Sequence, residues 1–228
     1  MSTPRILLVD DEQTVLDLLS GYLLREHYQV HTAPDGPTAL RMTQTIRPDI
    51  VVLDIMLPGM DGLEVLAQIR RQSDAYVILL SARTEETDRI VGLSVGADDY
   101  VTKPFSPREV VARIKAALRR FGAHTDGHAS TALLFRHLRI DPGARLVWAD
   151  EQLVELTTIE FDLLLALVER RGLVVSRSQL IEKVWGYDYY GEERVVDVHI
   201  AHLRQKLGDA HSIQTVRGVG YRFEDEPL

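Results

Sequence analysis

Short apolar runs and amphipathic stretches alternate along the first half of the chain. Near-continuous runs of Val, Ile and Leu occur at 6–9, 50–53 and 77–80, a pattern typical of strands that are buried on both faces of a parallel sheet. Apolar residues recur at helical spacing over 15–23, 37–46, 63–69, 87–93 and 107–118. We therefore expect five β–α units, which form a doubly wound α/β fold with a five-stranded parallel sheet.

The pattern changes after a polar stretch at 122–131, GAHTDGHAST, which predicts a flexible linker. Short alternating pieces separated by turn residues predict strands over 133–154, and a final hairpin is predicted over 213–224. Helices are predicted over 158–169, 176–184 and 194–207, with Thr157 or Thr158 and Ser176 as candidate N-caps. The sequence thus predicts a first domain at 1–121, the linker at 122–131 and a second domain at 132–228.

Composition and charge exclude several classes of protein. The 228 residues contain no cysteine, which excludes disulfides, thiolate metal sites and thiol catalysis. No apolar run approaches the roughly 20 residues that span a bilayer, and the N-terminus lacks the apolar stretch of a signal peptide, so we expect a cytoplasmic protein with no membrane partner. The net charge is −8, yet the segment 194–222 carries five Lys/Arg against two Asp, a local excess that favours DNA binding.

Acidic residues follow two of the predicted strands. Asp10 and Asp11 come just after the first strand, and Asp54 ends the third. Because ligands bind outside the carboxyl ends of the strands in an open parallel sheet, we expect the three carboxylates to share one pocket. Each like-charge pair at ~5 Å costs roughly 3 kcal/mol at an effective dielectric near 20. We therefore expect a hard divalent cation, Mg²⁺, to offset the repulsion.

Two further side chains are predicted at the same edge of the sheet. Lys103 follows the fifth strand, and Ser81 ends the fourth. A carboxylate nucleophile, a Mg²⁺ ion and a lysine together suit phosphoryl transfer. Taken one at a time, an Asp at a strand end is usually a helix cap, and a Lys-Pro pair is usually a turn. The combination of all these positions at the ends of four strands favours the shared site.

The first 120 residues contain, in order, the motifs LLVDDE, VVLDIMLPGMDG, LLSAR and GADDYVTKPF. With these motifs the chain resembles the flavodoxin-like receiver domain of bacterial response regulators. The resemblance implies that Asp54 is the phosphoacceptor. The Mg²⁺ ligands that it implies are Asp10, Asp11, Asp54 and the Met56 carbonyl. The other implied site residues are the phosphoryl-binding Lys103, which forms a cis peptide bond with Pro104, and the paired switch residues Ser81 and Tyr100.

Charges of alternating sign lie over 89–120. On pattern alone they indicate a solvated charged face. The pattern is similar to the dimer face of the OmpR/PhoB subfamily of response regulators, which pairs with its copy about a two-fold axis. By that resemblance the ion pairs across the dimer would be Arg89 with Glu109, Asp99 with Arg113, and Asp98 with Arg120. The apolar centre would consist of Ile90, Leu93 and Val111.

The helix predicted over 194–207 buries one face, formed by Val196, Ile200, Leu203 and Leu207 at helical spacing. Two preceding helices and a following hairpin that carries Arg217 suit a winged helix-turn-helix, whose last helix enters the major groove of DNA. A small helical domain that binds protein fits the periodicity equally well. The motifs LTTIEFDLLLAL, SRSQLIEKVWG, RVVDVHIAHLRQKL and IQTVRGVGYRF resemble the OmpR/PhoB effector domain and favour DNA binding.

The resemblance to the effector domain assigns roles in binding DNA. The residues that would face DNA from the helix are Arg194, His199, Ala201, His202 and Arg204. The wing residues would be Thr215, Arg217 and Tyr221, and Trp185 would lie near a phosphate. The loop 186–193 would contact RNA polymerase. Relatives often carry Arg or Lys at the positions of Ala201 and His202, so this departure predicts weaker attraction to phosphates.

These features predict a two-component response regulator that controls transcription. A sensor histidine kinase would phosphorylate the receiver, which would dimerise and place paired winged helices on tandem half-sites of double-stranded DNA. The receiver would catalyse only its own phosphorylation and dephosphorylation, so we do not otherwise expect an enzyme. The alternatives are a DNA-binding regulator that works independently of phosphorylation, a phosphatase or phosphotransferase that uses Asp54, and a protein-interaction scaffold.

Overall fold

The computed structural model describes residues 3–82, 92–93, 95–123, 132–186, 189, 193–210 and 212–225. The chain divides into two compact units, Met1–Leu118 and Arg119–Leu228. None of the helices in the described ranges has the length and apolar character that crossing a bilayer requires.

The first unit is an α/β domain. Its strands are β1 (Arg5–Val9), β2 (Gln29–Ala33), β3 (Ile50–Asp54), β4 (Tyr76–Ser81) and β5 (Asp99–Thr102). Neighbouring strands pair in parallel in the order β2-β1-β3-β4-β5, which confirms the predicted five-stranded, doubly wound sheet. Every residue of β3 and β4 is buried, because crossover helices cover both faces of a parallel sheet.

The helices of this unit are α1 (Gln13–Arg25), α2 (Gly36–Ile46), α3 (Gly62–Arg70) and α4 (Pro107–Ala123). The Asp35 and Asp61 side chains cap α2 and α3 by accepting hydrogen bonds from backbone N–H groups of the first turn. Of the helix predicted over 87–93, residues 92–93 are described and are helical, and 87–91 lie outside the described residues. Helix α4 extends into the first two residues of the predicted linker, 122–123, and the remaining linker residues 124–131 are not among those described.

The second unit begins with an antiparallel sheet of β6 (Leu133–Leu134), β7 (Leu138–Asp141), β8 (Leu146–Ala149) and β9 (Gln152–Val154). Its helices are α5 (Thr158–Val168), α6 (Arg177–Val184) and α7 (Arg194–Leu207), followed by a short 3₁₀ helix at Gly208–Ala210. Thr157 and Ser176 form capping boxes with Glu160 and Gln179, which confirms both predicted N-caps.

A three-stranded sheet completes the second unit. Strands β11 (Ile213–Val216) and β12 (Gly220–Phe223) form the predicted hairpin, and β10 (Val174–Ser176) pairs with the other side of β12. Strand β10 has no signal in the sequence, because so short a strand carries no alternation and its partner lies far along the chain. Gly220 approaches β10 so closely that an added Cβ would lie 2.1 Å from Val175 O. Three helices and this sheet form a winged helix-turn-helix.

Candidate functional site

The acidic site lies at the carboxyl edge of the parallel sheet, where β1 and β3 are neighbours. Asp10 and Asp11 follow β1, and Asp54 ends β3. Asp10 is 1% exposed and Asp54 is 3% exposed, whereas Asp11 is open to solvent. Each residue offers a carboxylate oxygen, and these oxygens lie within 4.8 Å of one another. The structure thus brings together the three carboxylates that the sequence pattern placed in one pocket.

Lys103 supplies a positive charge to this cluster from just beyond β5. Its Nζ lies 2.9 Å from Asp10 Oδ2 and 3.0 Å from Asp54 Oδ2. The Lys103–Pro104 peptide bond is cis, as the resemblance implied. Because the lysine side chain is itself mostly buried, its ammonium group is held beside the two carboxylates rather than extended into solvent.

Burial and charge act in opposite directions on the two central groups. Burial raises the pKa of Asp54 above its ordinary value, although the hydrogen bond and charge of Lys103 and the Met56 backbone N–H favour the carboxylate. Burial alone would lower the pKa of Lys103, but its hydrogen bonds to Asp10 and Asp54, and their charges, raise it instead. The site therefore holds a buried carboxyl group beside a lysine that stays protonated, which suits acceptance of a phosphoryl group.

The donor set of this pocket fits a divalent cation. Asp54 Oδ1 is buried and has no hydrogen-bond partner among the described residues, although buried carboxylate oxygens ordinarily have one. Mg²⁺ is usually bound by one or two carboxylates and keeps its other coordination positions for water and phosphate oxygens. Because Asp11 is exposed, water and phosphate can reach this pocket from solvent. The Met56 side chain is 57% exposed on the loop after β3, and the assignment of its carbonyl as a ligand stays a prediction.

A glycine that was not among the predicted site residues shapes the same site. Gly62, the first residue of α3, packs against the end of β3, so an added Cβ would lie 2.2 Å from Asp54 O. Its backbone N–H donates to Ile55 O at 2.9 Å. The signal in the sequence was the Asp61-Gly62 pair at the start of a helical pattern, where Asp caps the helix and Gly permits close backbone contact.

The predicted switch residues lie on adjacent strands. Ser81 ends β4 and is fully buried, and Tyr100 in β5 is 8% exposed. The register pairs Leu79 with Tyr100 and Ser81 with Thr102, which places the Ser81 and Tyr100 side chains on the same face of the sheet. Their response to phosphorylation stays a prediction.

The predicted dimer face contains ion pairs within this chain. Arg113 Nη1 lies 2.9 Å from Asp99 Oδ1, and Arg113 Nη2 lies 2.8 Å from Glu109 Oε1. Asp98 is 1% exposed and pairs with Arg70 of α3. A dimer that pairs Asp98 and Asp99 across its interface would have to share or replace these intramolecular partners.

Other members of the predicted dimer face are only partly described. Leu93 and Val111 are buried, with 6% and 7% exposure. Arg89 and Ile90 lie outside the described residues, as does the side chain of Arg120. The pairing of this face with a second copy therefore stays a prediction.

Helix α7 buries one face in the second unit and leaves another exposed. The predicted buried face is confirmed for Val196, Ile200, Leu203 and Leu207. Arg194, Ala201 and Gln205 are exposed on the opposite side. On the wing, Thr215 and Arg217 are exposed. These five side chains are exposed to solvent, and their contact with DNA stays a prediction.

Three residues that were expected at the DNA surface are buried. Trp185 is 2% exposed, His199 is 1% exposed and Tyr221 is 4% exposed. The rings of Trp185 and His199 lie 5.7 Å apart, and the Tyr221 hydroxyl donates to Asp197. His199 follows Val196 by three residues, so helical spacing turns it to the buried side of α7. The expectation that His199 faces DNA is therefore corrected, because its side chain packs within the domain. Tyr221 lies in the wing strand β12, as expected, and contact of Trp185 and Tyr221 with DNA stays a prediction.

His202 and Arg204, also expected at the DNA surface, are half-buried. Burial lowers the pKa of His202, and the charge of Lys206 lowers it further, although Glu160 acts in the opposite direction. The lowered pKa favours the neutral imidazole of His202. Arg204 Nη2 is turned toward the wing, where it donates to a carbonyl and a hydroxyl of β11 at 2.9 and 2.8 Å.

Two family models match the chain. The one described as "Response regulator receiver domain" matches residues 6–115, and the one described as "Transcriptional regulatory protein, C terminal" matches residues 150–223. The chain is 45% identical over 235 residues to "Transcriptional regulatory protein SrrA" of Staphylococcus aureus (strain NCTC 8325 / PS 47), an alignment that covers 97% of this chain and 98% of SrrA.

Solved structures are similar to this chain over nearly its whole length. A mutant of RitR is 32% identical, with a TM-score of 0.78 over 98% of this chain and 100% of that chain. The response regulator DrrB, described as a Thermotoga maritima OmpR/PhoB homolog, is 32% identical, with a TM-score of 0.50 over 98% of this chain and 100% of that chain. With a receiver domain followed by a DNA-binding winged helix, the chain belongs to the OmpR/PhoB family of two-component response regulators, which regulate transcription.

Proposed function

We propose that Asp54 accepts a phosphoryl group from a sensor histidine kinase and that this event controls DNA binding. The observation that carries the proposal is the buried Asp54 carboxylate: Lys103 Nζ lies 3.0 Å from one oxygen, and the other has no hydrogen-bond partner among the described residues. A carboxylate oxygen attacks phosphorus, and a P–O bond forms as the P–N bond to the kinase histidine breaks. The histidine leaves as imidazole after gaining a proton, and Lys103 offsets charge on the phosphoryl oxygens.

The Mg²⁺ ligands would be Asp10, Asp11, Asp54 and the Met56 carbonyl. The bound ion would supply positive charge next to the phosphoryl oxygens. Asp10 and Asp11 would orient the ion beside Asp54, and Lys103 would stay protonated on the other side of the acceptor. With this machinery directed at its own aspartate, the receiver would catalyse only its own phosphorylation and dephosphorylation.

Phosphorylation would act through the switch residues on the dimer face. A phosphoryl group adds about −1.5 to −2 charge at neutral pH and new acceptor oxygens. The Ser81 hydroxyl would donate to it, and the Tyr100 side chain, which is already buried, would shift into the space that Ser81 vacates. This movement would bias β5 and α4, which carry Asp99 and Arg113, toward binding a second copy of the receiver.

The dimer would place two α7 helices on tandem half-sites of double-stranded DNA about one turn apart. The exposed Arg194, Ala201 and Gln205 would enter the major groove, and Arg217 would reach a phosphate or the adjacent minor groove. The loop 186–193 would contact RNA polymerase. With DNA and RNA polymerase as partners, the protein would act in the cytoplasm.

The test is the mass of the intact protein, together with light scattering, after treatment with acetyl phosphate and Mg²⁺. The wild type is expected to gain one phosphoryl group and to shift to a dimer, and Asp54→Asn is expected to do neither. Asp17→Asn, at an exposed aspartate of α1, is the matched control and should behave as the wild type does. A wild type without an adduct would favour the alternative of a DNA-binding regulator that works independently of phosphorylation.

A further inference from the structure

Three elements of the winged helix meet at Asp197 in α7. Asp197 Oδ1 accepts hydrogen bonds from Arg177 Nε, at 2.7 Å, and from the Tyr221 hydroxyl. Arg177 is the first residue of α6, and Tyr221 lies in the wing strand β12. One carboxylate therefore joins the DNA-facing helix α7 to the preceding helix and to the wing.

A second link between α7 and the wing lies two helical turns further on. Arg204 Nη2 donates to Thr215 Oγ1 of β11 at 2.8 Å and to a carbonyl of the same strand at 2.9 Å. The seven-residue separation of Asp197 and Arg204 puts both on the same side of α7. The Arg204 guanidinium also lies 5.5 Å from the centre of the Tyr221 ring, a cation–π contact.

Tyr221 is the member of this cluster that both links share. It is 4% exposed, whereas the side chains of Arg177 and Asp197 keep 20% and 38% exposure. Burial and the bond to Asp197 raise the pKa of Tyr221 to about 12, so its hydroxyl is a donor throughout the physiological range. A buried tyrosine ring whose hydroxyl makes a directed hydrogen bond fixes the orientation of the elements that it joins, in addition to packing between them.

We propose that Asp197 and Tyr221 are positioning residues that hold the wing against α7 so that both contact one DNA duplex at the same time. The inference rests on the proposed DNA binding and makes Arg204 an anchor of the wing rather than a reader of bases. Arg217 extends from the wing at the turn where Gly218 takes a φ of +73°. When the wing is held in place, Arg217 stays close to the duplex once α7 has bound, so its contact with DNA forms at a high effective concentration. A wing that is not held against α7 loses this advantage.

The test is a double-mutant cycle in the full chain. The probe is a duplex that the wild type selects from a random-sequence pool, and the variants are Arg217→Ala, Tyr221→Phe and their combination. In the wild-type background, Arg217→Ala is expected to weaken binding about tenfold. In the Tyr221→Phe background the same change should cost less than about twofold, because the wing contact is already lost. Asp197→Ala, which removes the acceptor of the Tyr221 and Arg177 hydrogen bonds, should reproduce the effect of Tyr221→Phe.

Two controls separate positioning from loss of structure. Tyr22→Phe removes a tyrosine hydroxyl from α1 of the receiver and should leave the tenfold effect of Arg217→Ala unchanged. In footprints, Tyr221→Phe should lose protection where the wing lies and keep protection in the major groove. An equal loss from Arg217→Ala in both backgrounds would overturn the positioning role. A wild type that selects no duplex would instead overturn DNA binding itself.

Discussion

The Lys103 ammonium lies 3.0 Å from the Asp54 carboxylate, so the protein itself places a cation beside the buried residue that we propose as its phosphoacceptor. The same ammonium lies 2.9 Å from Asp10. One lysine thus offsets the charges of two carboxylates that the sheet topology brings to the ends of β1 and β3. Removing the Lys103 ammonium would leave both carboxylates buried with less positive charge beside them to offset their negative charges.

Lys103→Gln is therefore expected to lower the free energy of unfolding of the receiver by about 1–3 kcal/mol, the cost of leaving buried charged groups without a partner. Urea unfolding measures this change. Adding Asp54→Asn should recover part of the loss, because the two residues interact directly. Lys115→Gln removes a half-buried lysine that pairs with Glu26 near the surface and should change stability by less than about 0.5 kcal/mol. Equal losses for both lysine variants would contradict the charge argument.

Mg²⁺ is expected to stabilise the receiver against unfolding, because the proposed site for it is formed by carboxylates that cluster in the folded state. At ten times its dissociation constant the gain should be about 1.4 kcal/mol. Thermal unfolding with Mg²⁺ and with EDTA measures the gain. Asp11→Asn should reduce it and Asp17→Asn should not, since Asp17 lies outside the cluster. An undiminished gain in Asp11→Asn would place the ion elsewhere.

Two glycine substitutions should have opposite effects. Gly62→Ala puts a Cβ 2.2 Å from Asp54 O, so it should destabilise the receiver by roughly 1–3 kcal/mol and slow phosphorylation of Asp54. In Gly21→Ala, inside α1, the added Cβ meets no atom within 4 Å. That change should stabilise the receiver by about 0.5–1 kcal/mol, because alanine favours a helix over glycine, and leave phosphorylation unchanged. Chemical denaturation and the rate of adduct formation test both variants.

Stability of the winged helix should fall at acid pH through His202. Burial and Lys206 lower its pKa in the folded state, against the opposite effect of Glu160, and the neighbouring ring is His199 at 6.3 Å. As the pH falls, His202 therefore takes up a proton more readily in the unfolded chain than in the folded domain. The stability that neutral His202 contributes is complete above pH ~6.5 and is lost progressively as the pH falls below it. Between pH 7.5 and 5.5, the free energy of unfolding should fall more in the wild type than in His202→Gln. A constant difference would refute this sign.

The Arg70–Asp98 pair should contribute more to stability than any surface pair. Arg70 donates to Gly96 O, to Ala75 O and to the Asp98 carboxylate, which is 1% exposed. Arg70→Ala is expected to cost roughly 3 kcal/mol, because it leaves a buried carboxylate without this partner. The neighbouring Arg71 is exposed, so Arg71→Ala should cost less than about 0.5 kcal/mol in the same denaturation experiment.

The spacing of apolar residues by itself determined the two domains and most of their elements. The runs at 50–53 and 77–80 became β3 and β4, because strands covered on both faces are continuously apolar. The pattern over 194–207 became α7 with the same ends, because one apolar face recurs every 3.6 residues. The acidic pocket was also predictable, since parallel topology brings the ends of β1 and β3 to one edge.

Only the tertiary structure decided which polar side chains meet and which are buried. Nothing in the local pattern marks β10 as a partner of β12, or Asp197 as a partner of Arg177 and Tyr221. The same holds for His199, which the resemblance placed at the DNA surface and the packing of α7 buries. The periodicity of apolar residues indicates which face of a segment packs against the core. The contacts named above join segments far apart in sequence, so they depend on how the elements pack.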